Sequence, residues 1–439
     1  MRPRAPALAG AMLGAATAAL YLIGAGRSYG YDAAATFANF VATPSLWDAF
    51  AVHSVLPTVP LKTVASNDHV LLSFLSHVIY SVTGSRSEVV YRLLPAFAGG
   101  GMVGVTTTVL AKQFGLVAGA CAGLFIATDP LFVDNSRDLR GYSIAALCAL
   151  VATIVLAANW TRWRLAVYAL LMGLAIAAHV FTAVVLLLHI AWIATRRSKQ
   201  QLIRLAPAWV AGGLLGAAAN ANIEFMEFVQ HGFPASVFYP TFPRDLVFFL
   251  VGAPVLLTLG LWLSAAGLGL WTVRGEPWLW ASIGVLTAVV AILWLGLQPA
   301  YLYPRFFVFL IPACAYLMAA AIARWKVLAP VVALGAITAA VSQVPGYTED
   351  PLALPQAAAA VERIHSGGGT ACVIHVDEQV LAAYTTEFTI VSSADQLQDC
   401  TAVVVVSWNV DLRLRDLAAQ EFPRATVLRA HYPAVVLER

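Results

Sequence analysis

Roughly eleven apolar stretches of membrane-crossing length divide this sequence, and they leave it few choices of fold. They fall at about 7–25, 91–111, 114–132, 143–160, 165–180, 181–195, 205–222, 246–271, 278–297, 306–323 and 327–344. Hydrophobic residues make up 60% of the 439, charged residues 11%, and the mean hydropathy is +0.78. Soluble chains carry roughly 25% charged residues. A soluble core could not hide this much apolar surface, so the expected class is an α-helical polytopic protein of the cell membrane, surrounded by lipid. The formal net charge of +3 points to no nucleic-acid partner.

The chain opens Met-Arg-Pro-Arg and then runs apolar from about 7 to 25. The run is long for a signal peptide and lacks a small-residue cleavage site with a soluble sequel, so a retained first helix is expected. The apolar run at 69–82 is about 14 residues, short for a crossing, and suits a re-entrant or interfacial helix. The positive residues support that reading. With Arg2 and Arg4 in the cytoplasm, Lys112, Arg162, Arg164, Arg196, Arg197, Lys199, Arg204, Arg274, Arg324 and Lys326 all fall on the same side. Counting 69–82 as a crossing would send most of them outside. The loops 26–90, 133–142, 223–245 and 298–305 then face the other side, with everything after about 345. The expected division is a membrane domain, 1–345, with a long first outer loop at 26–90, and a small extracytoplasmic domain, 346–439.

That last segment gains charge and carries short β-type runs at 371–376, 388–391, 401–407, 425–428 and 434–437, with helical stretches near 355–366 and 411–420. Strands alternating with helices predict a small α/β domain. Gly367, Gly368 and Gly369 follow a helix and precede a strand, the reverse of a phosphate-cradling loop, and read as a helix terminator. Cys121, Cys148 and Cys314 lie in apolar spans and read as packing residues. Cys372 and Cys400 become a disulfide candidate if their segment lies outside the cytoplasm.

Ionisable groups beside a membrane core are costly and often functional. Four polar clusters share the outer side. Asp32 sits in Arg27-Ser-Tyr-Gly-Tyr-Asp32 with Tyr29 and Tyr31. Asp68 and His69 sit in Ser66-Asn-Asp-His-Val70. Arg140 and Tyr142 close Asp134-Asn-Ser-Arg-Asp-Leu-Arg-Gly-Tyr142. Tyr303 and Arg305 belong to Tyr301-Leu-Tyr-Pro-Arg305. Taken alone, Asp32 reads either as chemistry or as a cap that anchors its loop, and the tyrosines and arginines read as interfacial anchors. Gathered on one side, they read better as a site. His53, His77 and His189 read as packing or interfacial residues. His179 reads first as a helix-to-helix contact, with a site role left open by its position near an outer turn. Glu224, Glu227 and His231 match no firm metal motif.

The order of these clusters resembles a known family. Asp32 lies just past the first span, and Asn-Asp-His precedes Val70-Leu-Leu-Ser-Phe-Leu75. Ser87-Glu-Val-Val-Tyr-Arg-Leu-Leu-Pro95 leads into a span. Ser136-Arg-Asp-Leu-Arg-Gly-Tyr-Ser143 and Tyr303-Pro-Arg-Phe-Phe-Val-Phe-Leu-Ile-Pro312 follow. Over about residues 1–345 the chain is similar to membrane glycosyltransferases of the GT-C fold that use polyprenyl-phosphate sugars, the protein O-mannosyltransferase-like and aminoarabinose-transferase-like group. The resemblance implies Asp32 as catalytic acid/base, Arg140, Arg305, Tyr142 and Tyr303 at the donor phosphate, and Asp68, His69 and Tyr31 near substrate. Asp68 and His69 are also its metal candidates; a divalent metal is compatible with the sequence and not required by it. Two departures stand out. Ala33 follows Asp32 where many relatives have a second acid, and Val70 and Leu71 follow His69 where many have two prolines.

The implied reaction moves a sugar from a lipid-linked donor to a hydroxyl acceptor on a glycan, lipid or protein. A carboxylate takes the acceptor's proton, arginine meets the phosphate, and an apolar groove holds the isoprenoid tail. No nucleotide-binding motif is evident. The alternative from another class is a transporter or flippase, which calls for internal repeats and acids or broken helices at mid-membrane.

Overall fold

The computed structural model describes residues 4–51, 69–197, 199–231, 240–250, 256–297, 302–348, 353–375, 377–406, 412–428 and 435–439. The chain forms two compact units: one holds Met1–Ile23, His69–Leu72 and Arg92–Tyr347, the other Gly24–Asp68, Ser73–Tyr91 and Thr348–Arg439. Residues 26–90, apart from 69–72, are therefore grouped with the C-terminal segment. This differs from the division at residue 345.

The first unit is built of apolar helices. Four are long and apolar enough to cross a membrane: Glu88–Phe114, Lys199–Ala221, Pro277–Gly296 and Pro304–Arg324. The pair Leu116–Thr128 and Pro130–Ser136, bent by 63°, adds a fifth if counted as one span. Further apolar helices, Tyr142–Ala157, Val180–Arg196, Leu259–Val273 and Leu328–Val344, are shorter, as is Val70–Thr83, which falls in the second unit from Ser73 onward. By length and composition the described residues thus give four or five crossings, and the count of eleven is not confirmed. Val70–Thr83 has 14 residues, about 21 Å of helix, less than a bilayer core of about 30 Å.

The bend has a local cause. Asp129 precedes Pro130, which disfavours helical geometry at the residue before it. Its ψ of 118° ends one helix, and its carboxylate accepts from the Phe132 N–H at 2.9 Å to start the next. The apolar run expected as one span at 114–132 is thus broken at Asp129. The first helix, Arg4–Tyr21, packs closely on Glu88–Phe114 through small residues. A Cβ built at Gly14 would lie 2.7 Å from the Gly100 carbonyl, so only glycine permits this approach. The basic helix ends are dressed with tryptophan: Arg274 lies 3.3 Å over the Trp271 ring, and Arg196 pairs with Glu276 at 2.6 Å while facing Trp278.

The second unit carries a five-stranded sheet in the order β2-β1-β3-β5-β4, with β1 Ala371–Ile374, β2 Thr389–Val391, β3 Ala402–Val405, β4 Arg424–Val427 and β5 Val435–Glu438. The β1–β2 and β1–β3 pairs are parallel; β3–β5 and β4–β5 are antiparallel. The helices Leu354–Ser366 and Leu412–Glu421 complete a small α/β domain. Cys372 on β1 and Cys400 just ahead of β3 form a disulfide, with Cα atoms 5.7 Å apart, inside a core that includes Ile374, Val403 and Phe422. Gly367 ends the helix Leu354–Ser366, and Gly368 turns the chain with a φ of +78°.

Candidate active site

In the first unit, the residues nominated from three separate stretches come together. His69 precedes the short helix Val70–Thr83, and its Nδ1 lies 3.0 Å from the Ala178 carbonyl. A carbonyl only accepts, so Nδ1 carries the hydrogen. Gly141 makes room for this contact, since a Cβ there would collide with the Ala178 carbonyl. The His69 ring lies 4.8 Å from Tyr142 and 5.7 Å from His179; Tyr142 and His179 are 4.7 Å apart. Phe306 closes the group at 5.2 Å from His179.

Arg140 and Arg305 both act on this histidine pair. Burial, then the Arg140 charge, holds His69 well below the ordinary histidine range, with Arg305 adding to it. His179 is held down to about 3 by burial, then by Arg140 and Arg305. Both rings are therefore neutral near pH 7. The Nε2 of His179 is buried with no hydrogen-bond partner among the described residues. Arg140 is 4% exposed, with its guanidinium 5.8 Å from the Tyr142 ring centroid; Arg305 sits 4.7 Å over Tyr303, which is exposed. Two cations, two neutral imidazoles and a phenol on a partly buried surface suit an anion that brings its own hydrogen-bonding oxygens.

The other charges of the 134–142 stretch have structural work. Arg137 donates to the Tyr21 and Ile23 carbonyls, closing the C-terminal end of the first helix, and Asp138 lies 3.8 Å from the buried Arg92. Arg92 and Arg137 lie in Tyr91-Arg92-Leu93-Leu94-Pro95 and Ser136-Arg137, where nothing in the sequence distinguishes a structural arginine from a functional one. The Arg140 and Arg305 charges near His69 oppose a cation there, and among the described residues no group of three His, Cys, Asp or Glu able to hold a metal occurs. Asp68, the other metal candidate, lies outside the described residues, as do His53 and the side chains of Glu224, Glu227 and His231.

Asp32 and Tyr31 fall in the second unit. They open the six-residue helix Tyr31–Thr36, whose N-cap Gly30 offers no side-chain cap, and an acid in the first turn interacts favourably with the helix dipole. Burial pushes the Tyr31 phenol up, with further contributions from the charges of Glu378, Asp32 and Asp377. These two C-terminal acids were not nominated from the sequence. Glu378 is fully buried, with Oε1 2.8 Å from His375 Nδ1, and Asp377 accepts from the Val406 N–H at 2.7 Å.

The architecture is a polytopic helical membrane protein with a small C-terminal sheet domain, a GT-C-like fold. Among solved structures it is similar to the crystal structure of ArnT from Cupriavidus metallidurans in the apo state, with a TM-score of 0.64, 14% identity and 97% of each chain covered. ArnT from the same organism bound to undecaprenyl phosphate gives a TM-score of 0.58 at 17% identity, again with 97% of each chain covered. No family model and no curated protein matches the sequence.

Proposed function

We propose that this chain is a membrane glycosyltransferase that takes a sugar from a polyprenyl-phosphate donor and passes it to a hydroxyl acceptor on the extracytoplasmic face. The observation that carries the reading is that Arg140, beside Tyr142, and Arg305, beside Tyr303, flank one cluster of rings that holds the buried His69 and His179. The fold neighbour that holds undecaprenyl phosphate supports a lipid-phosphate ligand for such a cluster. In this reading the arginines meet the donor phosphate and stabilise it as it leaves. The anomeric carbon–phosphate oxygen bond breaks, the acceptor oxygen bonds to that carbon, and the acceptor's proton passes to the Asp32 carboxylate. Asp129 at a helix break is the feature a transporter reading would use, but its carboxylate already caps the Phe132 N–H.

The test is incubation of the purified protein, in nanodiscs, with a panel of radiolabelled undecaprenyl-phosphate sugars and a cell-envelope extract as acceptor source. Label transfer to a hydroxyl acceptor, with release of undecaprenyl phosphate, is the expected result. Vectorial movement of the lipid without transfer would favour the flippase.

A further inference from the structure

The helix that carries Asp32 is too short to hold itself. Its turns at Tyr31–Thr36 run directly into the π-helical turn Phe37–Val41, and a helix still shorter than about 12–15 residues with no side-chain cap is marginal unless neighbours fix it, because the first turn costs more order than its hydrogen bonds return. The chain entering it is held from the C-terminal domain. The Tyr29 N–H donates to the Tyr384 hydroxyl at 2.9 Å, and that hydroxyl donates to Glu88 Oε1 at 2.6 Å. The Tyr384 ring lies 6.1 Å from the Tyr29 ring, which stacks on Phe37 at 5.3 Å. One residue earlier, the Ala383 carbonyl accepts from Arg86 Nη1 at 3.1 Å. Residues 383–384 thus fasten both ends of the first outer loop, one of them three residues ahead of Asp32.

We propose that Tyr384 is a positioning residue for Asp32, its hydroxyl bridging the Tyr29 amide and the Glu88 carboxylate so that the C-terminal domain fixes the segment bearing the base. The proposal rests on the assignment of Asp32 as base. It gives the C-terminal domain a part in turnover without contact with substrate.

The experiment uses the full-length protein in nanodiscs. Tyr384→Phe keeps the ring and removes the bridge. Peptides covering 28–36 are expected to exchange amide hydrogens about tenfold faster, the worth of one hydrogen bond, while peptides from 142–178 are unchanged. With whichever panel donor gives label transfer, kcat is expected to fall about tenfold with donor KM within about twofold. Glu88→Gln, which keeps an acceptor oxygen, is expected to retain more turnover than Glu88→Ala. Unchanged exchange at 28–36 overturns the bridge; faster exchange with unaltered kcat overturns the positioning role. Asp32→Asn run alongside separates the two ideas: full turnover there sinks the base assignment, whereas a dead Asp32→Asn with a fully active Tyr384→Phe sinks only the positioning role.

Discussion

The imidazole of His69 is held by the carbonyl of Ala178, 3.0 Å from its Nδ1 and 109 residues away in the chain. That bond orients the ring beside His179 and leaves its Nε2 as an acceptor. It also ties the start of the short helix Val70–Thr83 to the turn that ends Arg162–Ala178.

Removing either cation should weaken lipid-phosphate binding. Arg140→Ala or Arg305→Ala is expected to raise the Kd for undecaprenyl phosphate by about 10- to 100-fold, the range for a charge-assisted hydrogen bond. Lysine at either position restores little, because the paired donor geometry is lost. Titration of each variant by intrinsic tryptophan fluorescence reads this, and two unchanged curves would remove the phosphate role.

Asp32→Asn should separate binding from chemistry. Label transfer is expected to fall by at least about 100-fold, the usual worth of a general base, while the Kd for undecaprenyl phosphate stays within about twofold. Near-normal turnover would take Asp32 out of the reaction.

The histidine pair makes stability depend on pH with a defined sign. His179 titrates near 3 in the folded protein because of burial and the Arg140 and Arg305 charges, whereas a free histidine titrates near 6.5. Between those values the unfolded chain binds a proton that the folded chain does not, so stability is full above about pH 6.5 and falls on acidification. His69 acts in the same direction. Thermal unfolding is expected to shift downward from pH 7 to pH 5, and His179→Gln should flatten that dependence. The same slope in wild type and variant would argue against it.

Loss of the Cys372–Cys400 link should loosen the sheet domain. It closes a separation of 28 residues, for which chain entropy gives about 3–4 kcal/mol. The Cys372→Ala, Cys400→Ala double variant is expected to lose its β-domain protection against protease well before the helices do. Equal resistance in both proteins would show that the link contributes little.

Sidedness has a direct measurement. Gly367→Cys adds a side chain whose Cβ meets nothing closer than 3.4 Å, at an exposed helix end. An impermeant maleimide should label it from the outer side of intact cells. Labelling only after the cytoplasm is opened would invert the topology.

Local pattern made part of this molecule legible in advance. The β-branched runs at 371–374 and 402–405 announced their strands, and Gly367 announced the helix end. The bend at Asp129 was signalled by Pro130 but hidden inside a continuous apolar run. Arg140, Tyr142, Tyr303, Arg305 and His69 were recognisable by residue type beside a membrane. Their meeting around His179 was not, because it depends on the side-by-side packing of helices distant in sequence. The partnership of Tyr29, Glu88 and Tyr384 was invisible for the same reason. No periodicity encodes a hydroxyl arriving from nearly three hundred residues downstream.

Because His69 arrives early in synthesis and Arg305 late, the cationic cluster does not exist on a partly made chain. In the proposed role, a nascent protein that has not yet reached Arg305 carries only part of the set that would meet a lipid phosphate. Assembly of the proposed site is thus coupled to completion of the membrane unit.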